Sequence, residues 1–138
     1  MKKFVLALTL VAISSFAFAQ SLVSNTKTAV NTFGAENAIF KWTETTFDFG
    51  KVKQNVPATH EFTFINTGDI PLVISSVKAS CGCTVADYTK DPIPAGGKGF
   101  VKATYNAAHA GLFTKTVTVN ANTQESVVVL TIKGEVIL

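Results

Sequence analysis

Apolar and polar residues alternate along much of this chain with a period of two, the signature of strands that bury one face. In Thr59–Asn66, His60, Phe62 and Phe64 share one face while Glu61 and Thr63 share the other. Val101, Ala103 and Tyr105 alternate within Phe100–Tyr105. Phe113, Val117 and Val119 oppose Thr114, Thr116 and Thr118. Val128, Leu130 and Ile132 oppose Val127, Val129 and Thr131 in a last strand that runs almost to Leu138. Phe47 and Phe49 alternate before Gly50, and Ile70–Val77 is a short apolar run with Pro71 near its start, where a missing N–H does little harm.

Turn chemistry separates these runs. Asn66-Thr67-Gly68-Asp69, Pro92–Gly97 and Asn106–Gly111 combine residues that favour tight or left-handed backbone. Beyond a weak tendency over Ala29–Phe40, no helix is indicated. Six or seven short strands then call for two layers. The expected fold is all-β, an immunoglobulin-like antiparallel β-sandwich of about seven strands over 42–138. Phenylalanine, with 11 residues, is the main core material; burying one such side chain contributes roughly 1.5–3 kcal/mol.

The first 41 residues follow a different pattern. Lys2 and Lys3, an apolar stretch over Phe4–Ile13, and Ala17-Phe18-Ala19 predict a signal peptide over 1–19, cleaved between Ala19 and Gln20. Residues 20–41, rich in Ser, Thr, Asn and Ala, read as a linker or loose N-terminal arm. No later run is long and apolar enough to span a bilayer, so no membrane span is expected in the mature chain. The expected location is exported, periplasmic or secreted.

Charge narrows the partners. Of 12 Lys and no Arg, Lys2 and Lys3 belong to the signal, leaving ten scattered cations against nine acids. A near-neutral chain without guanidinium groups lacks the means for bidentate readout of bases or phosphates, so nucleic acid is not an expected partner.

The chemistry concentrates in Ser80-Cys81-Gly82-Cys83-Thr84, which holds both cysteines of the chain. Export permits a disulfide. If the segment is a strand, Cys81 and Cys83 lie on one face with Cα atoms roughly 6.5–7 Å apart, the limit for a bridge. Gly82, lacking Cβ, could let the backbone bend tighter. The loop would be minimal, so the bridge would remove little chain entropy and be comparatively reducible. A local disulfide, packed free thiols and a redox or metal-binding pair all remain open.

A zinc site would need more ligands than the pair supplies, and His60 and His109 are far from it in sequence. Met1 is the only methionine, so copper with an axial Met is not expected, although copper(I) between two thiolates remains conceivable. His60 is expected to be partly exposed at a strand end, and His109 solvated in a turn. Asp87 and Asp91 are expected to be solvated in a loop around Tyr88. No Gly-x-Ser-x-Gly turn or phosphate-cradling glycine loop occurs. Neither a catalytic set, nor a cofactor site, nor a metal site is expected.

The series Phe47-Asp-Phe-Gly50, Phe62-Thr-Phe-Ile-Asn-Thr-Gly68, Pro71-Leu-Val-Ile74, Ser80-Cys-Gly-Cys-Thr84, Ile93-Pro-Ala-Gly96 and Ile132-Lys-Gly-Glu-Val136 resembles the exported bacterial domain-of-unknown-function family fifteen-seventy-three. That family is similar to Hydin-type and major-sperm-protein-like immunoglobulin folds. The resemblance spans about residues 43–137 and implies a β-sandwich and an exported protein. It implies no established activity. The expected function is a non-enzymatic binding or structural module of the cell envelope, whose partner is an envelope protein or polymer. The alternative is thiol-based redox exchange or copper(I) handling by Cys81 and Cys83.

Overall fold

Each alternating run becomes a strand whose apolar side faces a shared interior. The structure, a computed structural model, describes residues 36–138. The predicted signal, its cleavage site and the first part of the predicted arm lie outside the described residues. Eight strands form: β1 (Phe40–Trp42), β2 (Thr46–Lys53), β3 (Ala58–Asn66), β4 (Ile74–Ala79), β5 (Thr84–Tyr88), β6 (Lys98–Tyr105), β7 (Gly111–Ala121) and β8 (Val127–Ile137). They make two four-stranded sheets, ordered β1-β3-β6-β5 and β2-β8-β7-β4. The expected sandwich is present.

The predicted inward faces are the buried ones. Phe62, Phe64 and Val101 from the first sheet meet Val117, Val119, Leu130 and Ile132 from the second, all at 1% exposure or less. The opposite faces carry Thr, Lys and Glu. There, Thr59 and Thr104 share a hydroxyl–hydroxyl hydrogen bond, and Lys102 pairs with Glu61. Exposed pairs of that kind contribute little to stability.

Three features differ from the sequence expectation. The ladder is not wholly antiparallel, because β2 runs parallel to β8. The chain leaves β1 at one lateral edge and enters the facing sheet alongside its last strand. A register shift between Asp48 and Lys51 accompanies this, with Gly50 at φ +63° and its N–H donating to Asp48 Oδ1 at 2.8 Å. Such a bulge twists an edge strand away from further pairing.

The folded part also reaches back past Trp42, into the predicted arm. Ala38 is fully buried and bridges to Thr123. The described end of the segment Ala29–Phe40 is therefore not helical. Thr67 and Asp69 donate their N–H groups to Ile39 O and Asn37 O. The chain passes so close to Gly68 that an added Cβ would collide with Asn37 O. Only glycine permits this approach.

The third difference is an extra strand. Asp87 lies in β5, not in a loop, although it is exposed as expected.

Candidate functional site

The Cys81–Cys83 segment forms one of the crossovers between the sheets, a role that alternation cannot reveal. β4 pairs with β7 in the second sheet, and β5 pairs with β6 in the first. Ser80 is still held by β7: its N–H donates to Thr116 O at 2.9 Å, and its Oγ accepts from Thr116 N–H at 3.1 Å. Cys83 already belongs to the other sheet, its carbonyl accepting from Asn106 N–H at 3.0 Å. The chain changes sheet within Cys81 and Gly82. Thr84 N–H donates to Cys81 O at 3.3 Å and closes the turn.

A disulfide joins Cys81 and Cys83, with Cα atoms 5.3 Å apart. The pair sits in the turn between β4 and β5, not on one strand face. The shorter separation follows from the change of direction that leaving one sheet for the other requires. Cys83 packs against the apolar core. Cys81 is half-buried, and its Sγ lies 3.8 Å from Thr84 Oγ1.

Gly82 does not supply the conformational freedom expected of it. Its φ lies outside the left-handed region, and an added Cβ meets nothing within 4 Å. Gly82→Ala should therefore be neutral or stabilising by up to about 1 kcal/mol, because it restricts the unfolded chain. Urea unfolding of the oxidised protein checks this.

A ring closed over three residues limits the entropy that the bridge can remove, about 1.5 kcal/mol in the chain-entropy picture. Replacing both cysteines by serine should lower stability by about 1–2 kcal/mol and Tm by about 4–16 °C. The ladder hydrogen bonds on both sides should keep the sandwich folded, as circular dichroism would report.

The remaining candidates stand apart from this turn. His109 is exposed. His60 stacks on Phe47 of the facing sheet, with ring centres 3.6 Å apart and planes within 5°. Its side chain is only 16% exposed, and Nε2 stands 2.9 Å from Glu44 Oε1. That is an ion-pair distance without hydrogen-bond alignment, and Nε2 has no hydrogen-bond partner among the described residues. This histidine is a packing element between the sheets. Asp87 is held below the usual carboxylate range, first by the Tyr88 N–H and then by Lys90; Lys90 Nζ is 3.2 Å away. Asp91 is exposed. No group of three or more potential metal ligands comes together among the described residues. No helix there is long and apolar enough to cross a membrane.

Sequence reading missed a cleft of about 300 Å³ at the opposite lateral edge, beside β1. Phe40, Trp42 and Val128 line it, together with Thr45, Gln124 and Glu125. Phe40 and Trp42 stack with ring centres 4.9 Å apart. The buried Trp42 N–H finds no acceptor among the described residues. The sequence signal was the aromatic spacing Phe40-Lys41-Trp42, split by the boundary drawn between the arm, 20–41, and the sandwich, 42–138.

The profile of the family "Protein of unknown function (DUF1573)" matches residues 40–136. The chain belongs to the DUF1573 family. Its crossover turn, sheet order and β1 edge all lie within the matched span. No curated protein sequence matches the chain significantly. Among solved structures, this DUF1573 domain is similar to a protein of unknown function from Porphyromonas gingivalis W83, with a TM-score of 0.66 and 18% identity over 74% of this chain and 48% of the other. The chain thus spans about half the length of that relative. It is also similar to PapD-like domain 7 of human CEP192, with a TM-score of 0.61 and 8% identity over 74% of this chain and 87% of the other. The VesB protease of Vibrio cholerae matches with a TM-score of 0.58 and 13% identity, over 70% of this chain and 31% of that one. At such identities the likeness is one of fold alone.

Proposed function

We propose that this DUF1573 chain is an exported, non-enzymatic immunoglobulin-like module that binds an envelope protein or polymer. The aromatic cleft beside β1 carries the reading. Stacked Phe40 and Trp42 offer an apolar wall, and Gln124 and Glu125 supply hydrogen-bonding groups at its rim. Recesses that combine rigid aromatic surface with a few polar groups are suited to recognition. The bulged β2 edge is turned away from further strand pairing, which favours a recess over a sheet edge as the docking point. The signal-like start of the sequence supports export.

The test is recovery of a partner from envelope extract by the immobilised mature protein, wild type against Glu125→Lys. Glu125 is exposed and follows β7 in a turn, so the variant should fold normally. Saturable recovery lost in the variant is the expected result. Recovery of no specific partner, or equal recovery by both proteins, would overturn the reading. Export is checked separately, by the mass of the protein secreted from its own cell: an N-terminus other than Gln20 would contradict the assigned leader.

A further inference from the structure

We propose that the Cys81–Cys83 bridge is a thiol–disulfide exchange site, in which Cys81 is the exchanging sulfur and Cys83 the resolving one. Its substrate class is a dithiol or disulfide on another protein. The inference concerns the crossover turn and is independent of the cleft.

Four observations converge. First, the bridge closes only three residues, so the fold gains little from keeping it closed. Second, both flanks are anchored by bonds that do not involve sulfur: Ser80 to Thr116 and Asn106 to Cys83. The Thr84 N–H to Cys81 carbonyl bond spans the turn itself. Opening the bridge therefore leaves two thiols held near each other, ready to close again. Third, the sulfurs are unlike: both cysteines are half-buried, but of the two only Cys83 packs against the core. Fourth, the hydroxyl of Thr84, a residue 5% exposed, lies 3.8 Å from Cys81 Sγ. A hydroxyl there can donate to a thiolate on Cys81, and nucleophilicity in exchange belongs to the thiolate.

The chemistry balances without an outside oxidant. A thiolate of the partner dithiol attacks Cys81 Sγ. The S–S bond breaks, and its electron pair goes to Cys83 Sγ, which takes up a proton. The partner's second thiol then attacks the partner sulfur of the mixed disulfide and expels the Cys81 thiolate, which is protonated in turn. Two electrons and two protons move from the partner to Cys81 and Cys83, leaving the partner with a disulfide. In reverse, the Cys81 thiolate attacks a partner disulfide and Cys83 resolves the intermediate.

The experiment uses the full mature chain, with dithiothreitol as the dithiol probe and glutathione disulfide as the trap. Dithiothreitol should free two alkylatable thiols while the native circular dichroism is retained. In Cys83→Ser, the lone Cys81 thiol should form a mixed disulfide with glutathione about tenfold faster at neutral pH than the lone Cys83 thiol of Cys81→Ser. Adding Thr84→Val, which keeps the shape but removes the hydroxyl, should slow Cys81 severalfold and move its rate–pH profile upward. Reduction that occurs only with loss of native structure would overturn the proposal. So would a Cys81→Ser variant that reacts as fast as Cys83→Ser, or a rate–pH profile indifferent to Thr84→Val.

Discussion

Asn66→Ala is expected to destabilise the domain by about 3–5 kcal/mol, a large part of the 5–15 kcal/mol available to a domain of this size. Asn66 is fully buried and uses both ends of its amide. Oδ1 accepts from Ile39 N–H at 3.2 Å and Gly68 N–H at 3.0 Å. Nδ2 donates to Ile70 O at 2.8 Å and Ile93 O at 3.0 Å. One side chain thus ties the segment before β1, the turn after β3 and the loop before β6 to a common point. Truncation leaves the Ile39 and Gly68 N–H groups and the Ile70 carbonyl to find new partners, each costing about 1–3 kcal/mol if it stays buried and unpaired, whereas Ile93 O keeps the Leu72 N–H. Those costs will not add fully, because water can enter the space.

Asn66→Asp separates this hydrogen-bonding account from simple loss of volume. The shape is kept, but an ionised carboxylate has no donor for Ile70 O and Ile93 O. Burial also raises the folded-state pKa of the new acid above its unfolded value. The native state then binds more protons than the unfolded state, so the variant's stability relative to wild type rises as pH falls toward the unfolded carboxyl value of about 3.9. Urea unfolding of the three proteins at neutral and mildly acidic pH gives the comparison. A loss below about 1 kcal/mol in Asn66→Ala, or no relative recovery of Asn66→Asp at low pH, would show that the hub does not carry the junction.

Asn66 also shows where sequence reading stops. The run Asn66-Thr-Gly-Asp69 marks a turn by its residue types alone, and the turn is there. Nothing in that pattern says that the amide points inward or that a strand from far upstream crosses it. The strand faces were legible because burial on one side of a pleat imposes a period of two. The sheet switches were not, because β1–β2 and β4–β5 each change layer within a few residues, and periodicity carries no information about which partner strand comes next. For the same reason Cys81-Gly82-Cys83 was legible as a chemical pair while its place at a crossover was not. Phe40 was obscured by its polar surroundings, which resemble a linker until β3 is brought beside it, and Trp42, read as the start of the sandwich, gave no sign of lining a recess.

Phe64→Ala should cost about 3–5 kcal/mol, as expected for a fully buried aromatic replaced by a methyl group. Phe64 is 1% exposed. Its ring meets Phe40 edge-on and lies tilted against Trp42, with centre distances of 4.7 Å in both cases. On its other side it covers Gly99, its cross-strand partner in β6, so closely that an added Cβ would fall inside contact distance of the ring. Glycine there lets an aromatic ring lie flat over the neighbouring strand. This predicts a coupling that simple cavity formation does not. Gly99→Ala alone should cost about 1–3 kcal/mol, because its methyl displaces the ring. In the Phe64→Ala background the same methyl enters vacated space, and the added cost should fall to near zero or reverse. The interaction energy between the two sites should therefore be at least about 1 kcal/mol in the favourable direction. Trp42 is the only tryptophan of the chain, so its fluorescence reports the change directly: a red shift is expected in Phe64→Ala, where the ring covering one side of the indole is gone. Additive costs for the two substitutions would mean that Phe64 and Gly99 do not constrain each other, and that the cluster at the β1 edge is held by Phe40 and Trp42 alone.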